Sequence, residues 1–224
     1  MKKNELVIAV IVVAVITVLL LTHATPVVSM LSPKPLPQDA LAQYDSKTRM
    51  HIDKAVAASV YNIAYQNTAL DVDLYEPVEL TTEGHIILST EEQGNSLTVY
   101  ALTSGMNYEF QDGVFVPKNG YKVMPAVMVF SKDANKEFTL VSYEEPAEGE
   151  SNVESTKELF PQPLWYFVFN PECAVEKLAE QEMKQVKEYL KSIGREKAPV
   201  GSVKGRIYFN IFDSFDELAD YPNC

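Results

Sequence analysis

With 224 residues, 46% hydrophobic and 22% charged, the chain is long enough for one large or two small domains around a core and too apolar to be disordered throughout. Its formal net charge of −12 repels nucleic acid and anionic lipid headgroups, which argues against a nucleic-acid partner. Two cysteines and three histidines without C-x-x-C or H-E-x-x-H spacing imply no metal motif, and no cofactor fingerprint accompanies them.

Residues 1–5 carry Lys2 and Lys3, and residues 6–22 are Leu, Val, Ile and Ala interrupted only by Thr17 and ending on Thr22. At 1.5 Å per residue this run spans roughly 25 Å, close to the hydrocarbon thickness of a bilayer and longer than the apolar part of a secretory signal. The expectation is a transmembrane anchor or uncleaved signal, although Thr22-His23-Ala24 also offers a signal peptidase its small residues and leaves cleavage after Ala24 open. Lysines before the run and none after it until Lys34 place the N-terminus in the cytoplasm and the rest outside a cell membrane. Lys2 and Lys3 against Glu5 leave the first 25 residues at +1, so the exported remainder carries −13.

Residues 23–44 contain Pro26, Pro33, Pro35 and Pro37 and read as an extended stalk. An extracytoplasmic α+β domain is expected over 45–224. It opens with a helix over 46–66, capped by Asp45 or Ser46, whose apolar stripe is Ile52, Val56, Val60 and Ile63. His51 falls within this helix as a surface or flank residue. Asp71, Asp73 and Glu76 offer carboxylate oxygens to Ca²⁺ but lack the glycine and bidentate spacing of an EF-hand loop.

Short apolar segments follow at 85–90, 97–103, 107–110, 114–116, 121–131 and 138–143, with an edge strand at Val78-Glu79-Leu80 as a further candidate. Gly94-Asn95, Asp112-Gly113 and Asp133-Ala134-Asn135 punctuate them, which predicts one antiparallel sheet with a tight hairpin at Asp112-Gly113. Both faces of 97–102 carry apolar groups, so that strand is central and covered, and Pro125 predicts a bulge or an edge.

A polar loop over 144–155 leads to a short helix that stops before Phe160-Pro161, and the aromatic run 164–169 is expected to be buried. Asn170-Pro171-Glu172 predicts the cap and first turn of a helix with Val175, Leu178, Met183, Val186, Leu190 and Ile193 on its inner face, Glu and Lys opposite, and Gly194 as its stop. A last strand at 205–212 and a capping-box turn at 214–217 complete the pattern. Cys173 and Cys224 could close a loop of about fifty residues or remain as two thiols.

His85, with Glu83 before it and Glu91 and Glu92 further along, is the one candidate for a general base. A histidine simply hydrogen-bonded to a carbonyl or carboxylate is the competing reading. Tyr100, Tyr108, Tyr143 and Trp165 would line an apolar ligand groove if they shared a concave face, and belong to the core otherwise. The absence of nucleophile elbow, Ser-x-x-Lys pair, Walker loop and dinucleotide fingerprint favours a non-enzymatic sensing or binding module for an envelope protein or small ligand. The alternative is a cell-surface hydrolase using His85 with a neighbouring carboxylate.

Glu83-Gly-His85-x-x-Leu88, Leu97-Thr-Val-Tyr-Ala-Leu102, Tyr108-Glu-Phe110, Gly113, Pro125-Ala-Val-Met-Val-Phe130, Phe138-Thr-Leu140 and Tyr143-x-x-Pro146 form a string with a wider resemblance. It is similar to an uncharacterised extracellular domain family of Gram-positive bacteria, the Firmicutes. That domain stands beyond a single membrane anchor or C-terminal to membrane peptidases of the β-lactam-sensor type. The resemblance covers 52–199, including Phe160-Pro161 and Tyr189-Leu-x-x-Ile-Gly194, and implies an anchored extracellular α+β domain. The peptidase zinc motif is absent, so the resemblance implies no peptidase activity. Where the family's loop has an aromatic and Asp-Gly, this chain has Glu144 and Glu148-Gly149, which withholds any family-wide role for that loop. A sheet curled around a helix, in the cystatin or nuclear-transport-factor manner, is one arrangement compatible with these elements.

Overall fold

A computed structural model describes residues 34–69 and 78–201; the expected anchor at 6–22, the Asp71, Asp73 and Glu76 group, the strand at 205–212, the turn at 214–217 and Cys224 lie outside them. Among the described residues no helix is long and apolar enough to cross a membrane. The described residues from Pro35 onward form one unit: an antiparallel β-sheet with flanking helices.

Helix α1, Ser46–Ala69, starts where Asp45 accepts hydrogen bonds from the Thr48 amide at 2.9 Å and the Thr48 hydroxyl at 2.8 Å. These bonds, backbone first, hold the Asp45 carboxyl down at about 2. Three strands then follow through tight turns: β1 Leu80–Gln93, β2 Ser96–Gln111 and β3 Val114–Lys132. Asp112 (φ 50°) and Gly113 (φ 84°) make the mirror-image hairpin the sequence predicts. Strand β4, Phe138–Glu144, completes the order β1-β2-β3-β4.

The six short segments expected from the sequence are thus four strands, three of them long. The interruptions at Ser104, Gly105 and Gly120 are absorbed by register shifts at Thr103/Gly105 and Asn107/Tyr108 rather than by turns. Gly120 is required there, because a Cβ would sit 2.3 Å from the Gly105 carbonyl oxygen. Val78 and Glu79 precede β1 instead of forming a separate strand. Pro125 pairs in register with Leu102, without a bulge of its own, and on its other side lies before Val127, where pairing with β4 begins, so β3 is locally an edge there.

Alternate residues of β2 face opposite layers. Leu97, Val99 and Ala101 pack with Ala126, Met128 and Phe130 against Ile52, Val56 and Val60 of α1, all nine at 1% exposure or less. Tyr100 and Leu102 face the other way, toward Phe160, Leu164, Phe167, Val168 and Leu178. The central strand is therefore covered on both sides, as its apolar pattern requires.

The second layer is built by α2 Asn152–Leu159, α3 Trp165–Phe169 and α4 Val175–Ser192. Three expectations change here. The aromatic run is a helix rather than uniformly buried chain, and Phe169 is 38% exposed. Asn170 does not cap α4: its side-chain Nδ2 donates to the Tyr166 carbonyl at 2.7 Å, closing α3, and a 3₁₀ turn Pro171–Ala174 comes before α4. Glu182 is buried among the inward residues of α4, not on its polar side, whereas Ile193 is exposed. Gly194, with φ 71°, ends the helix as expected.

Gly84 sets how closely α4 approaches β1. A Cβ there would lie 2.8 Å from the Ser104 hydroxyl, 3.1 Å from the Leu178 carbonyl oxygen and 3.2 Å from a Leu178 methyl. Gly84→Ala should therefore push α4 outward and cost about 1–3 kcal/mol, measurable as a lowered urea midpoint.

Candidate functional site

Three consecutive residues of β1 engage three different surroundings. Glu83 and His85 point to the α1 side of the sheet, Gly84 to the α4 side, and the outer edge of β1 at both Glu83 and His85 meets side chains of α4. The alternation is a property of any strand. The residues chosen make it a junction.

On the α1 side the His85 ring is clamped between two carboxylates, with Nδ1 2.8 Å from Glu83 Oε2 and Nε2 3.0 Å from Asp53 Oδ1. Its side chain is 10% exposed, and Glu83 is nearly as covered, while Asp53 reaches in from the solvent-facing side of α1. Burial works against a charged ring, but the Asp53 and Glu83 carboxylates outweigh it and hold the imidazolium up to about 9. The bond to His85 in turn holds Asp53 below its usual range.

On the edge, α4 supplies two side-chain amides that imitate a neighbouring strand. The His85 amide donates to Gln181 Oε1 at 2.8 Å, and Gln181 Nε2 donates to the His85 carbonyl at 2.9 Å. The Glu83 amide donates to Gln185 Oε1 at 3.2 Å, and Gln185 Nε2 donates to the Glu83 carbonyl at 2.6 Å. One helical turn separates the glutamines and two residues separate their targets, so both helix and strand spacings are met. On the α4 face, Glu182 accepts a short hydrogen bond from the Ser104 hydroxyl and lies 3.3 Å from Thr82 Oγ1. Burial pushes its carboxyl up to about 7.

The other candidate residues do not converge. Tyr100 is buried and tilted against Phe160, its hydroxyl pKa raised by burial and by Glu91; Tyr108 is buried and stacked on Phe115. Trp165 is half-buried on the same side, its indole donating to the Phe160 carbonyl at 2.8 Å with Lys157 over the ring. Tyr143 packs on the α1 side, where its hydroxyl donates to Glu145 at 3.0 Å and lies 3.2 Å from the Thr103 hydroxyl. They therefore line no common groove. His51 is half-buried, with Nδ1 3.0 Å from the Lys136 carbonyl. Cys173 packs beside the second-layer core and is disulfide-bonded. Among the described residues no group of three or more His, Cys, Asp or Glu is placed to hold a metal ion.

No family model, curated protein or solved structure matches this chain.

What remains is the chemistry of the junction itself. A general base needs a free ring nitrogen near neutral pH, and His85 has both nitrogens bound and its proton held. The geometry favours the carboxylate-bonded histidine over the catalytic one. An open concavity of about 420 Å³ lies elsewhere, at the β2–β3 turn, lined by Gly113, Gly194, Arg195, Glu196, Lys197 and Ala198. Arg195 stacks over Phe110 at 3.5 Å beside it. Sequence reasoning passed over Gln181, Glu182 and Gln185, because glutamine and glutamate on an amphipathic helix ordinarily mark its wet face; the i, i+1, i+4 spacing beside Leu178 and Val186 was the only signal.

Because the folded His85 titrates above the ordinary histidine value of 6.5, its stabilisation is complete below pH 6.5 and disappears as pH rises toward 9. Between these limits stability should fall by on the order of 3 kcal/mol. Urea titrations of the wild type and of H85Q would check this, the variant giving a flatter profile in that window.

Proposed function

We propose that this protein is a non-enzymatic binding or sensing module held at the outer face of a cell membrane by an N-terminal helix over residues 6–22. The observation that carries the reading is that His85, the one candidate general base, is committed on both nitrogens to joining α1 and β1. The interior acid Glu182 is likewise engaged between layers, by Thr82 and Ser104. The apolar run behind Lys2 and Lys3, the proline-containing stalk and the resemblance to anchored extracellular domains of Firmicutes support the location.

The concavity at Gly113 and Arg195 is the surface we assign to a small polar ligand or an envelope protein. It combines the cations Arg195 and Lys197 with the acid Glu196 on a chain that is otherwise strongly acidic. Such a surface orients a partner by charge without needing a large buried area. Alkaline phosphatase fused after Cys224 should be active in intact cells and a cytoplasmic reporter at the same place inactive; the reverse would overturn the topology. A photo-crosslinking residue at Lys197 should give a discrete adduct in living cells that one at Glu154 does not. Equal labelling at both positions, or at neither, would remove the binding assignment.

A further inference from the structure

The α4–β1 seam combines a buried acid that pairs with no cation among the described residues and two glutamines that occupy a strand edge. Thr82 Oγ1 lies 3.1 Å from the Met106 carbonyl oxygen and 3.3 Å from Glu182 Oε2. A hydroxyl has one hydrogen, and a carbonyl can only accept. The hydrogen can go to either acceptor; when it goes to Met106, the contact with Glu182 is satisfied only by a protonated carboxyl donating to Thr82. Ser104 supplies the second partner, donating to Oε1.

Burial and the charge of Glu83 favour the neutral form and outweigh the Ser104 and Thr82 hydroxyls, which favour the carboxylate. From β1 come Thr82 and, across the strand, Glu83, whose charge opposes a second one; from β2 come Ser104 and the Met106 carbonyl. Along α4 the neighbours one turn away are Leu178, Ala179, Gln185 and Val186, all uncharged. The imidazolium of His85 is on the opposite face, already shared between Glu83 and Asp53. Gly84 removes the side chain that would otherwise hold α4 at a distance.

We propose that Glu182 fastens α4 to the edge of β1 as a neutral carboxylic acid, and that its ionisation releases Gln181 and Gln185 from the strand. A carboxylate at this position has two hydroxyls and, among the described residues, no counter-ion, and exposing it to water requires α4 to lift. Lifting uncovers the outer N–H and C=O groups of Glu83 and His85, a ready template for an incoming extended segment. The device deepens the binding reading by making one binding edge conditional on acidity, but it does not depend on that reading.

The proton count sets the window. Closed, Glu182 titrates at about 7; open, it returns to the ordinary glutamate value of 4.5. Opening therefore releases a proton between these values, so the open fraction rises roughly tenfold per pH unit from 5 to 7 and levels off above. Hydrogen–deuterium exchange of the full-length protein in detergent micelles, corrected for intrinsic rates, reads this at the Glu83 and His85 amides. These are the two donors the glutamines hold. The wild type should show the rise, and E182Q should be flat over that range. S104A, which removes the bond that lowers the closed-state pKa, should carry the rise beyond pH 7 before it levels off, with its onset unchanged. A flat wild-type profile, an E182Q profile that keeps the slope, or an S104A profile that levels off where the wild type does would each overturn the proposal. Activity of the concavity in crosslinking is independent of all three.

Discussion

The edge of β1 is the constraint on which the rest of this fold depends. A four-stranded sheet has two edges, and an uncovered edge presents unpaired amides and carbonyls that must find partners. Here the edge is closed by α4 through Gln181 and Gln185, whose amides copy the donor and acceptor of a further strand. This closure works only because Gly84, between the two paired residues, has no side chain to keep the helix away. Moving any one of these residues by a single position would turn it to the wrong face.

The two faces of the same triplet resolve buried charge in opposite ways. On the α1 side a cation is permitted because two carboxylates share it, and the three groups tie helix to strand. On the α4 side a carboxyl has hydroxyls but, among the described residues, no cation, and burial is met by keeping the proton. Both arrangements have folded-state values above the unfolded ones, so both weaken as pH rises, Glu182 first and His85 later. Aspartates bound to donors, Asp45 and Asp53, oppose this trend at the acid end, where their stabilisation is lost. The summed contribution of these four groups is therefore greatest in mildly acidic conditions.

Much of the architecture was legible in residue pattern. The stripe Ile52, Val56 and Val60 marked the buried face of α1, the Asp45 cap marked its start, Asp112-Gly113 marked the hairpin, and the two-faced 97–102 run marked the covered strand. Strand lengths were not legible, because glycine, serine and proline inside a strand look like turn residues until a partner strand absorbs them in a bulge. The site was legible only in part. Glu83 and His85 stood out as titratable neighbours in sequence, but Asp53, Gln181 and Glu182 come from distant helices whose approach no local pattern encodes.

The sequence by itself determined the antiparallel sheet, the two main helices with their inner faces, the acidic character and the absence of a recognisable catalytic motif, because these follow from periodicity, turn chemistry and composition. Only the tertiary structure decided what His85 and Glu182 are. A histidine's chemistry is set by what its two nitrogens touch, and a glutamate's by whether water and a counter-ion reach it. Those neighbours lie 32 and 78 residues away along the chain, so they exist only once α1 and α4 have closed on the sheet.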